Sequence, residues 1–348
     1  MLTLHVETSA WRAHLDKTLA DVGGLVPVAK GNGYGFGLEL LAAESQRVGC
    51  DTLAVGQLDE VASVTHDFRG DVLVLTPWQP AIDAPIDHDP RLIVTLADRS
   101  AVRALRGEKT RVVVELLTSM RRFGLDEEQL SQSLSDIGEL NLVGFALHLP
   151  IDDGEVARTE EVSGWLTTLR RHGLSTQTIW VSHLSDTDLA LLRRRHPETT
   201  LRPRIGTRLW LGASGSSAAL YRARGTVLAV HPTRRNQRFG YRQRRARSDG
   251  QLIIVSGGTS HGIALSAPRS VRSATARFKA AAIGSLEASG RSLSPFYIQG
   301  KRRWFAEPPH MQVSMLWVPG DVPAPQIGDE LEVDVRMTTA SFDRLILH

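Results

Sequence analysis

The stretch that decides the fold is Val26-Pro-Val-Ala-Lys30-Gly-Asn-Gly-Tyr34-Gly-Phe-Gly37. It begins with a short apolar run of the kind that forms a buried β-strand, and four glycines follow within the seven residues 31–37. Lys30 stands where the strand ends and the glycine-rich loop begins. Because no Gly-Lys-Ser/Thr sequence is present, the loop is not a P-loop that binds nucleotide phosphates.

Outward from this loop, short β-branched runs alternate with longer amphipathic segments. Strands separated by helices predict βα units, and eight of them over about 200 residues favour an α/β fold, a closed (β/α)8 TIM barrel. We place this barrel domain at residues 10–222. The predicted strands are 26–29, 52–55, 72–75, 92–95, 111–116, 142–147, 178–181 and 200–202. The predicted helices include 38–48, 59–65, 98–105, 126–134, 155–172 and 186–195.

The composition and the hydrophobic pattern of the sequence change after about residue 222, where Gly, Pro and Ser become more frequent and strand-like runs dominate. We therefore predict a mainly β C-terminal domain at 223–348, to which residues 1–9 can add a strand. The segment 212–217 is typical of a flexible connection. The predicted strands are 225–231, 252–256, 310–318 and 331–337, and helix-like periodicity is confined to 271–281.

Composition excludes several classes of protein. With 348 residues, 42% hydrophobic and 23% charged, the chain has ordinary globular values for about two domains, which excludes a disordered or collagen-like protein. It lacks 18 consecutive apolar residues and a signal-peptide pattern at its N-terminus, so we expect no membrane contact. Its single cysteine, Cys50, permits no intrachain disulfide and no thiolate metal cluster. We therefore expect a reducing, cytoplasmic setting and no metal site.

The basic residues are unusual because only five of the 41 are lysines. Arginines crowd into the segment 234–247, and such a run is one way to bind nucleic acid. This run is interrupted by Phe239-Gly-Tyr241, and acidic residues elsewhere balance it to a net charge of +3. We therefore expect no nucleic-acid partner, and the role of the segment stays open.

The predicted position of Lys30 in a barrel suggests a chemical role for its amine. Active sites of TIM barrels lie at the C-terminal ends of the strands, where Lys30 is predicted to stand. Apolar walls there would lower the pKa of its ammonium group, and a neutral amine can attack a carbonyl to form a Schiff base. The alternative is an exposed lysine in a glycine-rich turn.

The segment Val28-Ala-Lys30-Gly-Asn-Gly-Tyr34-Gly-Phe-Gly37 resembles the cofactor lysine motif of the alanine racemase family of fold-type III pyridoxal-phosphate enzymes. That family combines a barrel domain with a β-rich C-terminal domain, as predicted above. The resemblance implies that Lys30 binds pyridoxal 5'-phosphate covalently. It also implies that the Tyr34 hydroxyl contacts the cofactor phosphate.

Further segments resemble the family in the same order along most of the chain, namely 117–124, 144–148, 182–185 and 202–210. The resemblance implies that Arg122 lies on the substrate side and that His148 lies against the cofactor ring and the catalytic tyrosine. It implies that Ser185 binds the phosphate. Each residue has a simpler alternative: Arg122 pairs with a surface carboxylate, His148 is a satisfied buried histidine, and Ser185 caps the following helix, which is compatible with binding phosphate.

The segment Arg202-Pro-Arg204-Ile-Gly206-Thr207 resembles the part of the family that holds the cofactor ring and phosphate. Aligned in this register, Arg204 bonds the pyridine nitrogen, and the backbone amides of Gly206 and Thr207 bind the phosphate through converging partial positive charges. The alternative register puts Arg202 at the arginine position. An arginine does not give up a proton to the pyridine nitrogen, an arrangement that favours racemisation over other reactions.

Racemisation by two bases removes the α-proton on one face and returns a proton on the other. Lys30 can serve one face. The segment Phe239-Gly-Tyr241 resembles the family segment with the opposite-face tyrosine, whose phenol needs positive charge from groups such as His148 and Arg204 to act as a base at neutral pH. In the family this tyrosine comes from the partner subunit, so the resemblance implies a homodimer with shared active sites. The alternative is a strand residue at the domain interface.

Four positions depart from the family pattern. Glu115 replaces a lysine, Thr259 replaces an entrance tyrosine, His310 replaces a residue that contacts the substrate carboxylate, and Phe342 replaces a phosphate-binding tyrosine. The predicted function is therefore a pyridoxal-phosphate-dependent amino-acid racemase, an isomerase resembling alanine racemase that interconverts L- and D-amino acids. The alternatives are a racemase-like cofactor-binding protein with an altered substrate or little activity, and another reaction of this cofactor on a D-amino acid.

Overall fold

The structure, a computed structural model, describes residues 1–86, 89–174, 178–212, 219–265, 275 and 292–348. The chain divides into two units. The β-rich unit consists of Met1–Arg12, Tyr34–Phe36 and Ala213–His348, and the barrel unit consists of Ala13–Gly33 and Gly37–Gly212. The domain boundary between residues 222 and 223 stays a prediction.

The chain begins with strand β1 and helix α1, which span Leu2–Val6 and Thr8–Asp21. The barrel strands follow, and most of them are short and apolar, as expected for strands with both faces buried. They are β2 (Val26–Pro27), β3 (Thr52–Val55), β4 (Asp71–Val74), β5 (Leu92–Leu96), β6 (Arg111–Leu116), β7 (Asn141–Leu147), β8 (Thr178–Val181) and β9 (Thr200–Ile205).

Within the described residues these eight strands form one parallel sheet in the order β2-β9-β8-β7-β6-β5-β4-β3. A bridge between Val28 and Ala54 joins β2 to β3, so the sheet closes on itself. Side chains such as Leu73, Val113 and Trp180 pack together in one core cluster of the barrel strands. The predicted (β/α)8 barrel is confirmed.

Helices connect the barrel strands, and polar residues fix where several of them begin. The Asp98 carboxylate accepts the N–H groups of Ser100 and Ala101, and Ser185 Oγ accepts the N–H of Asp188, so each satisfies donors that the first helical turn leaves open. The helices are α2 (Leu38–Arg47), α3 (Val61–Thr65), α4 (Arg99–Ala104), α5 (Glu127–Gln132), α6 (Leu134–Gly138), α7 (Arg158–Arg171), α8 (Asp186–Arg195) and α9 (Thr207–Leu211).

The β-rich unit contains a second sheet, which is largely antiparallel, and a separate two-stranded hairpin. Its strands are β10 (Tyr221–Thr233), β11 (Arg238–Phe239), β12 (Arg244–Arg245), β13 (Gly250–Ser256), β14 (Leu293–Ile298), β15 (Lys301–Phe305), β16 (Val313–Pro319), β17 (Glu330–Glu332) and β18 (Arg344–Leu347). In the described part of the unit the large sheet has the order β14-β15-β16-β13-β10-β1-β18, with β17 also paired to β10, and β11 pairs with β12. Alternate residues such as Ile253, Phe296 and Leu316 form its buried core.

The predicted mainly β C-terminal region is thus confirmed, and β1 joins its sheet. The helix predicted at 271–281 lies outside the described residues except for Thr275, and so does most of the connection predicted at 212–217. No helix in the described ranges is both long enough and apolar enough to cross a bilayer.

Candidate functional site

Lys30 follows β2 at the C-terminal mouth of the barrel. The strand is held in place because the N–H of Val28 donates to the Ile205 carbonyl at 3.0 Å and that of Ala29 donates to the Ala54 carbonyl at 2.8 Å. Solvent reaches the Lys30 side chain, yet the surrounding protein lowers the pKa of its ammonium group, and the positive charges of Arg122 and Arg204 lower it further. The site therefore increases the fraction of the lysine that is the neutral, nucleophilic amine.

Glu60 fixes the backbone on either side of this lysine. Its Oε1 accepts the N–H of Gly31 at 2.7 Å, and its Oε2 accepts those of Gly56 at 2.6 Å and Gln57 at 3.3 Å. One carboxylate thus joins the lysine loop to the end of β3, and its charge opposes the lowering of the Lys30 pKa. Sequence reasoning missed Glu60, although an acidic residue just after a barrel strand was a usable signal.

Arg204 is the most enclosed cation of the mouth. It is 7% exposed, and its Nη2 donates to the Leu147 carbonyl at 3.1 Å. Its Nε is buried and has no hydrogen-bond partner within the described ranges. Burial lowers the pKa of the guanidinium, while the nearby Glu115 carboxylate acts in the opposite direction. A buried cationic N–H without a partner is costly, which points to an acceptor supplied by a ligand.

The two candidate arginines of β9 lie in different environments. Arg202 Nη1 donates to an Asp51 carboxylate oxygen at 2.8 Å, and its guanidinium lies 5.2 Å from the centroid of the Trp180 ring. Asp51 directly precedes β3, so Arg202 is engaged toward the N-terminal end of the barrel. This placement favours the register in which Arg204 is the ring-binding arginine.

Glu115 is 2% exposed near the end of β6, and burial raises the pKa of its carboxyl group. The positive charges of Arg204 and Arg122 oppose that rise, so Glu115 interacts with both cations. Arg122 itself is exposed, and its guanidinium lies 5.2 Å from the centroid of the Phe123 ring. The Glu115 carboxylate is thus close enough to interact electrostatically with Arg122.

His148 stands at the end of β7 in a network of short contacts. Its Nδ1 lies 3.1 Å from Ser182 Oγ, and its carbonyl accepts the Thr118 hydroxyl at 2.6 Å. Burial, followed by the charges of Arg204 and Arg122, lowers the pKa of His148 to about 3. The imidazole is therefore neutral at physiological pH.

His183 is a second histidine at this mouth, and sequence reasoning named it only as part of the segment 182–185. Its ring lies 5.1 Å from that of His148, and its Nδ1–H donates to the Leu149 carbonyl at 2.7 Å. Its backbone has a φ of 57°, a conformation unusual outside glycine and enriched at functional sites. Burial lowers the pKa of His183 as well.

The lowered pKa of His148 makes the free energy of unfolding depend on pH. Between its ordinary value of 6.5 and about 3, the unfolded chain binds a proton that the folded chain does not. Its contribution to stability is therefore complete above pH 6.5 and is lost as the pH falls toward 3. We expect His148→Asn to reduce the drop in unfolding free energy between about pH 7.5 and about pH 5 by about 1 kcal/mol, an amount that allows for solvent screening.

Urea unfolding of the cofactor-free protein at the two pH values measures this difference. His66→Asn is the matched control, because the His66 side chain is 90% exposed. Equal drops in the wild type and in His148→Asn would show that the imidazole is not held neutral.

The other cofactor-binding predictions have definite places but stay predictions. Ser185 is exposed, and its Oγ accepts the N–H of Asp188 at 3.1 Å as the cap of α8. Gly206 directly precedes α9, which begins at Thr207. Tyr34, a residue of the β-rich unit, is buried and has a φ of 54°.

Tyr241 lies in the β-rich unit, in the turn between β11 and β12, and is 83% exposed. Its backbone N–H donates to Glu307 Oε2 at 3.0 Å. Its ring centroid lies 4.6 Å from that of His310, whose Nε2 lies 2.8 Å from Glu307 Oε1. Glu307 is 3% exposed, so one buried carboxylate holds both the turn and the imidazole. A Cβ at Gly240 would lie 2.1 Å from Glu307 Oε2, so a side chain there would displace the carboxylate that holds the turn.

Two other departures from the family pattern lie in the same unit. The N–H of Thr259 donates to the His310 carbonyl at 2.8 Å, so these two positions are neighbours. Phe342 lies beside Gly35 of the same unit, because a Cβ at Gly35 would lie 3.0 Å from its Cε2. The structure thus brings Tyr241, His310 and Thr259 together, and it places Phe342 beside the loop residues 34–36.

Glu307→Gln is expected to loosen the Tyr241 turn, because it replaces one of the two carboxylate oxygens by an NH2 group, which cannot accept a hydrogen bond, and it removes the negative charge. Hydrogen exchange at the Tyr241 amide should become about tenfold faster, as expected for loss of a charge-assisted bond. Peptide-resolved hydrogen exchange measures it. Glu330→Gln is the control, since Glu330 pairs with Arg224 on the same unit. Unchanged exchange would mean that Glu307 does not hold the turn.

Comparison of the sequence with protein-family models identifies one family. The family model described as "Alanine racemase, N-terminal domain" matches residues 6–210. Among sequence relatives, the alanine racemase of Corynebacterium efficiens is 23% identical over 279 residues, or 75% of each chain. That of Campylobacter concisus is 26% identical over 145 residues, so the match spans only 41% of this chain and 41% of that enzyme.

Solved structures with the same fold cover nearly the whole chain. The alanine racemase of Bartonella henselae, with covalently bound pyridoxal phosphate, has a TM-score of 0.73 at 16% identity and covers 99% of both chains. A histidine racemase of Leuconostoc mesenteroides has a TM-score of 0.65 at 15% identity and covers 99% of this chain and 98% of its own. At these identities the likeness establishes the fold.

Proposed function

This chain belongs to the alanine racemase family, and from that premise we propose that it is a pyridoxal-phosphate-dependent racemase of amino acids. The observation that carries the proposal is the pairing at one barrel mouth of Lys30, with its lowered pKa, and Arg204, with its buried and unpartnered Nε. An amine with a lowered pKa suits the aldehyde of the cofactor, and a buried N–H donor suits its ring nitrogen. The residues present therefore fit the cofactor.

The cofactor would be held by residues from several strand ends. Lys30 would bind it covalently, Arg204 would donate to its ring nitrogen, and the backbone amides of Gly206 and Thr207 would bind its phosphate. Tyr34 and Ser185 are the remaining candidates for phosphate contacts. When bound, pyridoxal phosphate withdraws electrons from the substrate α-carbon and so makes the α-proton more acidic.

The protein side chains then have to move one proton across the substrate. Lys30 Nζ takes or returns the α-proton on one face, and Tyr241 Oη does so on the other. Arg204 would donate a hydrogen bond to the ring nitrogen while keeping its own proton, which would disfavour competing reactions. His148 and Arg122 lie near these groups, and Glu115 gives Arg122 a negative neighbour.

The proposal includes a homodimer with composite sites. In one chain the Tyr241 side chain is 83% exposed, although a catalytic base works in an enclosed site. A partner subunit whose barrel mouth receives Tyr241 would enclose it. This expectation comes from the family resemblance and is tested by the complementation experiment given in the Discussion.

We further propose that alanine is a poor substrate. Glu115, Thr259, His310 and Phe342 depart from the family residues around the substrate and phosphate, and His310 brings an imidazole beside Tyr241. Losing a carboxylate contact typically costs about 1–3 kcal/mol, or about 5- to 150-fold in affinity. Binding energy would then come from a larger side chain or attached group.

A panel of free amino acids tests the proposed function. The holoenzyme is incubated with each L- or D-enantiomer at millimolar concentration, and the enantiomers are separated by chiral chromatography. Racemisation of at least one amino acid, absent with Lys30→Ala, supports the proposal. Cofactor binding without racemisation of any member would favour the alternative of a racemase-like binding protein. An alanine kcat/KM of about 10⁴ M⁻¹s⁻¹ or more would overturn the substrate proposal alone.

A further inference from the structure

A cavity of about 420 Å³ lies beneath the hairpin that carries Tyr241, and the proposed function leaves it unexplained. Its size falls in the range of sites for small molecules. We call it the hairpin pocket. Its main lining side chains are those of Phe239, Arg244, Arg245, Arg247, Trp304 and Trp317.

Aromatic rings form one side of the hairpin pocket. The rings of Phe239 and Trp317 are stacked, with centroids 6.2 Å apart and planes 17° apart. Trp304 on β15 pairs with Trp317 on β16 and is 38% exposed. Indole surface of this extent, open at a cavity, is a good platform for a planar ring.

Arginine side chains form the other side of the hairpin pocket. Arg245 and Arg247 are exposed, and neither has an ion pair in the described part of the chain. The described lining contains no carboxylate, so the pocket offers a net positive field. Guanidinium groups bind carboxylates and phosphates through paired N–H donors and also stack on rings.

We propose that the hairpin pocket binds a small anion that carries a planar ring. Nucleoside monophosphates and aromatic carboxylates share this chemistry. The ring lies against Trp304, and the anionic group pairs with Arg245 and Arg247. This use accounts for part of the arginine-rich segment 234–247.

The pocket is connected to Tyr241 through its walls, so its occupant regulates the turn. Arg244 Nη1 donates to the carbonyl of Ala306, which also lines the pocket, at 3.2 Å. The next residue, Glu307, accepts the backbone N–H of Tyr241 at 3.0 Å. A ligand that displaces Arg244 on β12 therefore shifts the position of the Tyr241 turn. This regulatory part rests on the proposed function, whereas the binding part does not.

Calorimetric titration of the holoenzyme tests the binding part. The probes are AMP and indole-3-carboxylate. Two half-ligands serve as controls: adenosine has the ring without the anionic group, and inorganic phosphate is an anion without a ring. We expect one of the two ring-bearing anions to bind at least tenfold more tightly than either half-ligand. Which of them binds identifies the source of the ligand. Failure of both to bind at millimolar concentration overturns the proposal, and so does a clear preference for an oligonucleotide.

Two double variants distinguish binding in the hairpin pocket from nonspecific attraction of anions to the arginine-rich segment. Arg245→Gln with Arg247→Gln should weaken binding at least tenfold. Arg234→Gln with Arg235→Gln removes the same charge from the same segment outside the lining and should change it less than twofold. Equal weakening by both double variants would overturn the proposal. All four arginines are exposed, so these substitutions leave the fold intact.

The regulatory part is read from the rate of racemisation. Saturating ligand should change kcat at least twofold in the wild type and leave the Arg245/Arg247 double variant unaffected. Binding without any change in kcat would overturn the regulatory part, whereas the proposal that the hairpin pocket binds a ligand would be retained. A protein that binds the ligand but racemises nothing, with or without it, would count against the proposed function instead.

Discussion

Lys30→Ala is expected to abolish racemisation, with kcat/KM falling at least about 10³-fold. The substitution removes both the covalent attachment of the cofactor and one of the two proposed bases, and a single acid–base group is commonly worth about 10²- to 10⁴-fold. The lowered pKa of Lys30 at the barrel mouth is the structural reason for this choice. Chiral analysis of the products measures the loss.

Chemical trapping identifies the lysine independently of turnover. Sodium borohydride should fix the cofactor on the peptide that contains Lys30, and mass spectrometry locates it. Lys17→Ala is the control, because Lys17 lies on the exposed surface of α1 and pairs with Asp21 at 2.8 Å. An adduct on any lysine other than Lys30 would refute the assignment.

Tyr241→Phe is expected to lower kcat about 10²- to 10⁴-fold while KM changes little. The phenylalanine keeps the ring beside His310 but removes the hydroxyl that moves the proton, so substrate binding is preserved. Trp317→Phe tests whether any perturbation of the neighbouring aromatic cluster has the same effect; it should leave kcat within a few fold. A Tyr241→Phe enzyme as active as the wild type would remove Tyr241 from the mechanism.

The same variant tests the shared site. Mixed with Lys30→Ala and reassembled by subunit exchange, it should recover about a quarter of the wild-type activity. Half of the dimers are then mixed, and each mixed dimer has one site with both bases. No recovery after demonstrated exchange would mean that each site is built from a single chain. Full activity from a monomer at micromolar concentration would contradict the dimer altogether.

The barrel could be predicted from the sequence because its strands carry a strong local signal. Strands predicted at 52–55, 111–116 and 178–181 have the same bounds as β3, β6 and β8. Burial on both faces requires continuous apolar runs, which stand out against the amphipathic segments between them. The helix predicted at 126–134 instead consists of α5 and the start of α6, because the chain turns at Ser133. Local periodicity does not locate such a break.

The candidate site could be predicted only in part. Residues in recognisable segments, such as Lys30 and Arg204, could be proposed from the sequence alone, and their roles stay predictions. Glu60 was not, because its importance comes from accepting the N–H of Gly31, which lies 29 residues away in sequence. Glu307 was missed for the same reason, since it is 66 residues from Tyr241. Contacts of this kind depend on the folded topology, and the local sequence gives at most a weak signal for them.

The close approach of Gly240 to Glu307 limits how this chain can change over evolutionary time. A side chain at 240 would force the Glu307 carboxylate to move and would also have to accept a φ of 71°, which strains residues other than glycine. A shorter acid at 307 would make room, but it would withdraw the oxygens that hold Tyr241 and His310. Substitutions at positions 240 and 307 are therefore expected to be coupled, because a change at either position alters the turn that both support.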